Sequence, residues 1–314
     1  MLTKADDYPI HQTPEPAAYS GTDRNFYDRY FFNGYERDGD LFFAAALGVY
    51  PHLNVMDAAF SFIIDGVQHN VYASKVLHME RLDTRVGPVG VEVLEPLQTL
   101  RLSIDDDATG LSGELTFEAR FPAIEEPRFT RRVGSQTSMD YTRLTQNGTW
   151  SGEIRFQEQS FSVDGDKWWG TRDRSWGIRP IGARDPQQNP YARAPQFFWL
   201  WAPLNFDDEA TFYHLNADES GAPWNTAGRR VSSAGLVEPA AVNSALDYAA
   251  GTRHAAAAEL SLGEASIRLT PRQTFFMKGI GYGHPEWAHG HFHGELATGH
   301  DSLVLSEVDL KDPT

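Results

Sequence analysis

The densest collection of reactive side chains lies in KWWGTRDRSWGIRP, residues 167–180. In an extended chain, successive side chains point to opposite faces. Thr171, Asp173 and Ser175 then share one face, and Arg172, Arg174 and Trp176 share the other. A carboxylate held among indole rings loses hydration, which raises its pKa. Such an acid delivers a proton near neutral pH. The competing reading keeps Asp173 structural, accepting hydrogen bonds from Arg172, Arg174 or turn amides at a strand end. Structural ion pairs perturb carboxylates as well.

A second cluster is GIGYGHPEWAHGHFHGE, residues 279–295, with His284, His289, His291 and His293. On a strand the last three would point to one side, adjacent rings ~6.6–7 Å apart. One metal ion could take two of them at zinc–nitrogen bonds of ~2.0–2.1 Å, but not all three from a straight strand. Glu286, Glu295 or Asp173 would have to complete the set, and the His-Glu-x-x-His spacing is missing. The same rings also suit an edge or surface strand, with one or two hydrogen-bonded in a cleft. Imidazole is a proton carrier near neutral pH, and that role suits them better than ligation.

A third stretch, SMDYTRLTQNGTWSGEIR (138–155), sets Asp140, Tyr141 and Arg143 ahead of a turn expected at Asn147-Gly148. Tyr141 offers a phenolic donor, although a strand end and a hairpin explain the stretch without chemistry. No phosphate loop, no Gly-x-Gly-x-x-Gly after a strand and no Gly-x-Ser-x-Gly elbow occurs. With no cysteine, there is no disulfide, thiol nucleophile or iron–sulfur cluster.

These residues must be positioned by short strands. LQTLRLSI (97–104) and GELTFEARF (113–121) alternate apolar and polar side chains with period two. FIIDGVQHNVYAS (62–74) reads as two strands joined by a tight Asp65-Gly66 turn. FFWLWAPL (197–204), EATFYHLN (209–216), AAAAELSL (255–262) and EASIRLTP (264–271) continue the style. The best helical candidate is PAAVNSALDYAAG (239–251), on its alanine content. The Pro/Gly/Asn-rich stretch 177–195 separates two strand-rich halves, which predicts a β domain over 1–185 and another over 186–314. Regular short strands with frequent turns favour sandwiches or barrels.

The chain has 314 residues and a formal charge of −16, too long for one comfortable core and of the wrong sign for a nucleic-acid surface. No apolar run approaches the ~18–20 residues of a membrane helix. The polar start MLTKADDYPIHQTPEP does not resemble a signal peptide, so a soluble, cytoplasmic protein is expected. Aromatics make up 12% of residues and cluster in FYDRYFF (26–32), KWWG (167–170) and QFFWLWAP (196–203). Large rigid side chains of this kind build cores and also line sites for flat or greasy ligands.

GTRDRSWGIRP resembles the Asp-His-x-Trp-Gly signature of the hydroxyneurosporene synthase (carotenoid 1,2-hydratase) and AttH-like superfamily. GYGHPEWAHG is similar to a His-Pro-x-Trp-x-His-Gly stretch near the C-terminus of one bacterial branch. Order, spacing and length fit over most of the chain. The resemblance implies an all-β fold of two tandem antiparallel lipocalin-like barrel or sandwich domains with few helices. It implies a cleft for apolar small molecules and hydratase, lyase or isomerase chemistry without a redox cofactor, as in carotenoid hydratases and fungal Diels–Alderase-type cyclases. Asp173, Trp176 and Gly177 match the signature, and Asp173 corresponds to the proton donor proposed for the hydratases. Arg174 stands where the signature has His, and a guanidinium exchanges no protons at neutral pH. Beside Asp173 it would also lower the carboxyl pKa.

The expectation is therefore an acid–base enzyme needing no cofactor or metal, acting on a hydrophobic aromatic or isoprenoid molecule. Asp173 is the acid/base, with His284, His289 and Tyr282 assisting. Trp168, Trp169, Trp176, Trp199, Trp201 and Trp287 wall the pocket, with Tyr141 and Arg174 contacting substrate. The alternatives are a carrier for a lipophile without turnover and a metal-dependent lyase built on the His cluster. No nucleic acid or membrane partner is expected, and a homodimer is left open.

Overall fold

The period-two runs become strands in the computed structural model, which describes residues 2–183 and 198–311. Among these residues the regular structure is antiparallel β apart from three 3-10 turns, Lys4–Asp7, Met277–Ile280 and Leu305–Glu307. The class is the expected one: all-β and lipocalin-like, with few helices. No helix among the described residues is long and apolar enough to cross a membrane. The boundary expected at 185/186 lies outside the described residues.

Strands β1 (Phe26–Glu36), β2 (Phe42–Tyr50), β3 (Val55–Ile64) and β4 (Val67–Val76) form a meander. Its last hairpin turns at Asp65-Gly66, with φ of 51° and 74°. Positive φ at both central residues is what a two-residue hairpin of native twist requires. Strands β5 (Arg85–Val86), β6 (Val89–Glu95), β7 (Thr99–Asp106) and β8 (Leu111–Ala119) form the next meander. Then come β9 (Ile124–Glu125), β10 (Phe129–Val133), β11 (Gln136–Phe156), β12 (Gln159–Val163) and β13 (Trp168–Ile178). β13 runs between β1 and β11, joining the meanders. The sheet curls so that β5 and β6 approach β3 and β4. Its concave face is a dry core that includes Phe32, Phe43, Phe60, Phe117, Trp150 and Trp168, each 1% exposed or less.

The expected turn at Asn147-Gly148 is absent, because β11 runs through it for 21 residues. Gly148 serves space rather than turning. A Cβ there would lie 2.3 Å from the Phe117 ring and 2.4 Å from the Glu118 carbonyl oxygen.

A second sheet comprises β14 (Phe198–Asn205), β15 (Glu209–Ala217), β16 (Pro223–Ser232) and β17 (Gly235–Val237). It packs on the first through Ile124, Ala210, Phe212 and Val231. A third comprises β18 (Val242–Tyr248), β19 (Ala255–Leu262) and β20 (Ala265–Leu269). The helix expected over 239–251 is instead β18, paired with β19. Leu260 and Leu262 draw it onto Ala202 and Tyr213 of the second sheet, and tertiary packing overrides alanine's helical preference.

The chain then returns to the first sheet. Residues 275–287 pack on Ala44, Ala46 and Ala59, whose small side chains leave room for Ile280, Phe275, Tyr282 and Trp287. Gly279 lies so close that a Cβ would meet Asn70 and Gln68 at 2.3 Å. Finally β21 (Leu296–Val304) pairs with β4 along its outer edge.

Candidate functional site

β1, β11 and β13 each present alternate residues away from the dry core: Tyr27, Arg29 and Phe31; Tyr141, Arg143 and Thr145; Thr171, Asp173 and Ser175. With Trp199 of β14, Asn216 of β15, and Met277 and Tyr282 beyond them, these strands enclose a cavity of about 420 Å³. That volume lies within the range of small-molecule sites.

Asp173 lies in its wall, 9% exposed. Among the described residues its carboxylate accepts no hydrogen bond. Among the described residues the cation in ion-pair range is Arg143, whose Nε stands 4.0 Å from Oδ2. Burial pushes its pKa up to about 6, against the pull of Arg143 and, more weakly, Arg29 and Arg179, and with the push of Glu126.

Arg143 is also buried. Its Nη1 is 3.7 Å from Glu126, and its Nε has no hydrogen-bond acceptor. Rings of Tyr141, Trp199 and Trp201 surround the guanidinium at 5.5, 4.9 and 6.0 Å. Burial works against its charge, but Glu126 and Asp173 hold its pKa above the ordinary value. Glu126 is fixed by Thr145 Oγ1 at 2.5 Å and Trp201 Nε1 at 3.0 Å. His214 Nδ1 stands 3.9 Å from Glu126, and burial lowers that imidazole's pKa to about 4.

Across the cavity, the Tyr282 phenol lies against Arg29 and Arg179, at 5.0 and 5.7 Å from its ring. Burial raises its pKa, but Arg29, Arg179 and Arg143 outweigh burial and Asp173, and the net shift is downward. His289 packs edge-on against Tyr282, 4.4 Å between ring centres. Its Nε2 donates to the Ile280 carbonyl at 2.9 Å, which leaves Nδ1 to accept from Arg179 Nη2 at 3.1 Å. Burial, then Arg29 and Arg179, hold His289 well below the usual imidazole pKa, so it is neutral.

The residues nominated from the sequence divide. Asp173, Tyr282, Tyr141 and Trp199 line the cavity. Trp201 lies behind Trp199, and His289 behind Tyr282. Trp168 belongs to the dry core. Trp169 is sandwiched by Arg37 and Arg120, at 3.8 and 4.4 Å. Trp176 is 39% exposed on the opposite face of β13. Trp287 stacks on Tyr72 and His293 away from this cavity. Asp173 is thus set among arginines and tyrosines rather than indoles.

Arg174 also points away from Asp173. It pairs with Asp28 and covers the Tyr30 ring at 4.1 Å, and the cations that chiefly lower the Asp173 pKa are instead Arg143, Arg29 and Arg179. The His-rich segment forms no strand. His284 contacts Asp301 at 3.2 Å and accepts from the Trp287 amide, while His291 and His293 donate to the Glu286 carbonyl. Among the described residues no three or more His, Cys, Asp or Glu gather as metal ligands.

Arg29 and Glu126 had no motif to mark them, and Arg179 lay in the 167–180 cluster without being singled out. The available signal was alternation: in FYDRYFF, Arg29 falls on the same face as Tyr27 and Phe31, a charge amid aromatics.

The fold is shared with solved structures of low identity. An AttH-like protein from Nitrosomonas europaea is 16% identical, with a TM-score of 0.55 over 84% of this chain and 86% of that one. Kievitone hydratase from Nectria haematococca is 11% identical, with a TM-score of 0.51 over 77% of this chain and 75% of that one. No curated protein sequence matches the chain. One family profile spans residues 2–314, and the chain belongs to that family, the family of unknown function DUF8625.

Proposed function

We propose that the protein is an acid–base enzyme of the hydratase, lyase or isomerase kind, acting on an aromatic or isoprenoid small molecule in the cavity beside Asp173. One observation carries the reading: a buried carboxyl with a pKa of about 6 and no hydrogen-bond partner among the described residues faces a ligand-sized space. Neutral Asp173 donates a proton to a double bond, and water adds to the cation so formed while giving up a proton to the Asp173 carboxylate. In reverse, neutral Asp173 protonates the hydroxyl, which leaves as water, and the carboxylate so formed takes a C–H proton from the cation. A pKa near the working pH makes one group competent for both. The lowered pKa of Tyr282 makes its phenol the second donor. Chemistry of this kind moves only protons and water. The shared fold with a protein named kievitone hydratase agrees with it.

The test presents phenolic and isoprenoid compounds to the protein and follows gain or loss of one water by mass spectrometry. Wild type should convert at least one compound and Asp173→Asn none, with ligand affinity kept. Equal turnover by the variant would make Asp173 structural. A carrier without turnover is the second reading. It is favoured by the 4.0 Å approach of Arg143, which suits a permanently ionised carboxylate.

A further inference from the structure

The cavity holds more positive charge than proton transfer uses. Arg29, Arg143 and Arg179 all line it, and Asp173 is the one carboxylate among the described lining residues. Arg29 and Arg143 are 3% and 8% exposed, and the Nε of each lacks a hydrogen-bond acceptor. Among the described residues Arg29 has one side-chain hydrogen bond, from Nη2 to the Ile280 carbonyl at 2.9 Å. Arg143 has its two carboxylates at 3.7 and 4.0 Å, too far for hydrogen bonds. Arg179 meets a neutral imidazole and the Tyr27 ring, at 4.5 Å, with no carboxylate in ion-pair range among the described residues. A guanidinium carries five donors, and leaving them unmade in a buried site is costly.

The contrast with Arg172 is direct. It is equally buried on the dry-core side of β13, yet its Nε and Nη2 both donate to Gln146 Oε1, at 2.9 and 2.5 Å. The Nε of Arg172 is thus matched on the dry-core face, whereas those of Arg29 and Arg143 beside the cavity are not.

We infer that the ligand enters as an oxyanion: a sulfonate-, carboxylate-, phenolate- or enolate-like group on an apolar ring skeleton, received by Arg143 and Arg29. Tyr27, Phe31, Phe129, Tyr141, Trp199 and Tyr282 supply walls for flat rings. With Asp173 neutral, as the donor must be, the bound anion replaces its charge beside Arg143. The inference rests on the cavity being the ligand site, as proposed above, but not on turnover.

The experiment compares two fluorescent probes of one ring skeleton, anilinonaphthalene sulfonate and uncharged phenylnaphthylamine. Wild type should bind the sulfonate about tenfold more tightly or better, the scale of charged hydrogen bonds. Arg143→Gln and Arg29→Gln should each bring the probes to within about twofold while leaving the neutral probe's affinity unchanged. Arg143→Lys, which keeps the charge, should retain part of the preference and covers the case in which Arg143→Gln does not fold. Equal affinities in wild type, or a preference surviving both Gln substitutions, would overturn the inference. Asp173→Asn separates it from catalysis: that variant should keep the sulfonate preference while losing turnover. A lost preference with intact Asp173 dependence sinks only the oxyanion reading, and the converse sinks only the acid.

Discussion

β1, β11 and β13 have two faces that the same backbone serves in opposite ways. Toward the concave side, Phe32, Trp150 and Trp168 pack with Phe43, Phe60 and Phe117, all of them 1% exposed or less. Toward the second sheet, the alternate residues Arg29, Arg143 and Asp173 border a cavity with donors unmatched. The concave face carries the hydrophobic core, and the cavity beside Asp173 lies on the opposite face of these strands, toward the second sheet. Close packing supports stability, and the unmatched polar face is where chemistry is available.

The comparison breaks most visibly at Trp150. Its ring contacts Phe43, Phe117 and Phe32 at 5.0, 5.3 and 5.8 Å, and its Nε1 donates to the Asn33 carbonyl at 2.8 Å. Trp150→Ala should cost about 3–5 kcal/mol in denaturant unfolding, as large core truncations do. On the other face, Asp173→Asn should lower turnover by about 10²–10⁴-fold, roughly 3–5 kcal/mol in barrier, without lowering the unfolding midpoint at pH 8. A destabilised variant would show that the two faces do not differ as described.

The pH dependence sharpens the same contrast. Asp173 has a pKa near 3.8 when unfolded and about 6 when folded. Between these values the folded state holds the extra proton, so stability falls as pH rises from about 4 to about 6 and stays lower above. At ~1.4 kcal/mol per unit the full effect is about 3 kcal/mol. His214 and His289 act the other way, because burial lowers their folded pKa values. Their contribution is present above 6.5 and is lost as pH falls. Asp173→Asn removes only the first effect. Its unfolding midpoint relative to wild type should therefore improve between pH 4 and pH 8, and a flat difference would remove burial as the cause of the shift. If Asp173 donates in the rate-limiting step, turnover should also decline as pH rises through about 6.

Smaller effects complete the series. Gly148→Ala places a methyl group 2.3 Å from Phe117 and should cost about 1–3 kcal/mol, the range for overpacking. Trp176→Ala, on an exposed side chain, should change stability by no more than about 0.5 kcal/mol and leave turnover intact.

Local patterns carried much of the fold. β7, β8 and the Asp65-Gly66 hairpin appear where alternation and turn residues put them. Two local signals misled for physical reasons. Asn147-Gly148 has turn composition, but its glycine makes room for Phe117. Residues 239–251 have helical composition, but β19 supplied a strand partner. The site was half legible: Asp173 was marked by its motif and by its face, whereas Arg29 and Arg143 lie far away in sequence and meet it only through pairing. The register that aligns Asp173 with Phe31 and Thr145 brings them together.

Sequence alone determined that Asp173 shares a face with Thr171 and Ser175 and lies opposite Arg172 and Arg174, because a strand's period of two depends on covalent geometry. Only tertiary structure decided which face received the dry core, which received the cavity, and that guanidinium and phenol groups rather than indoles would surround the acid. Alternation sorts side chains into two sets without naming what will cover either. A carboxyl pKa depends on burial and on charges reached through space, and those exist only once distant strands have paired.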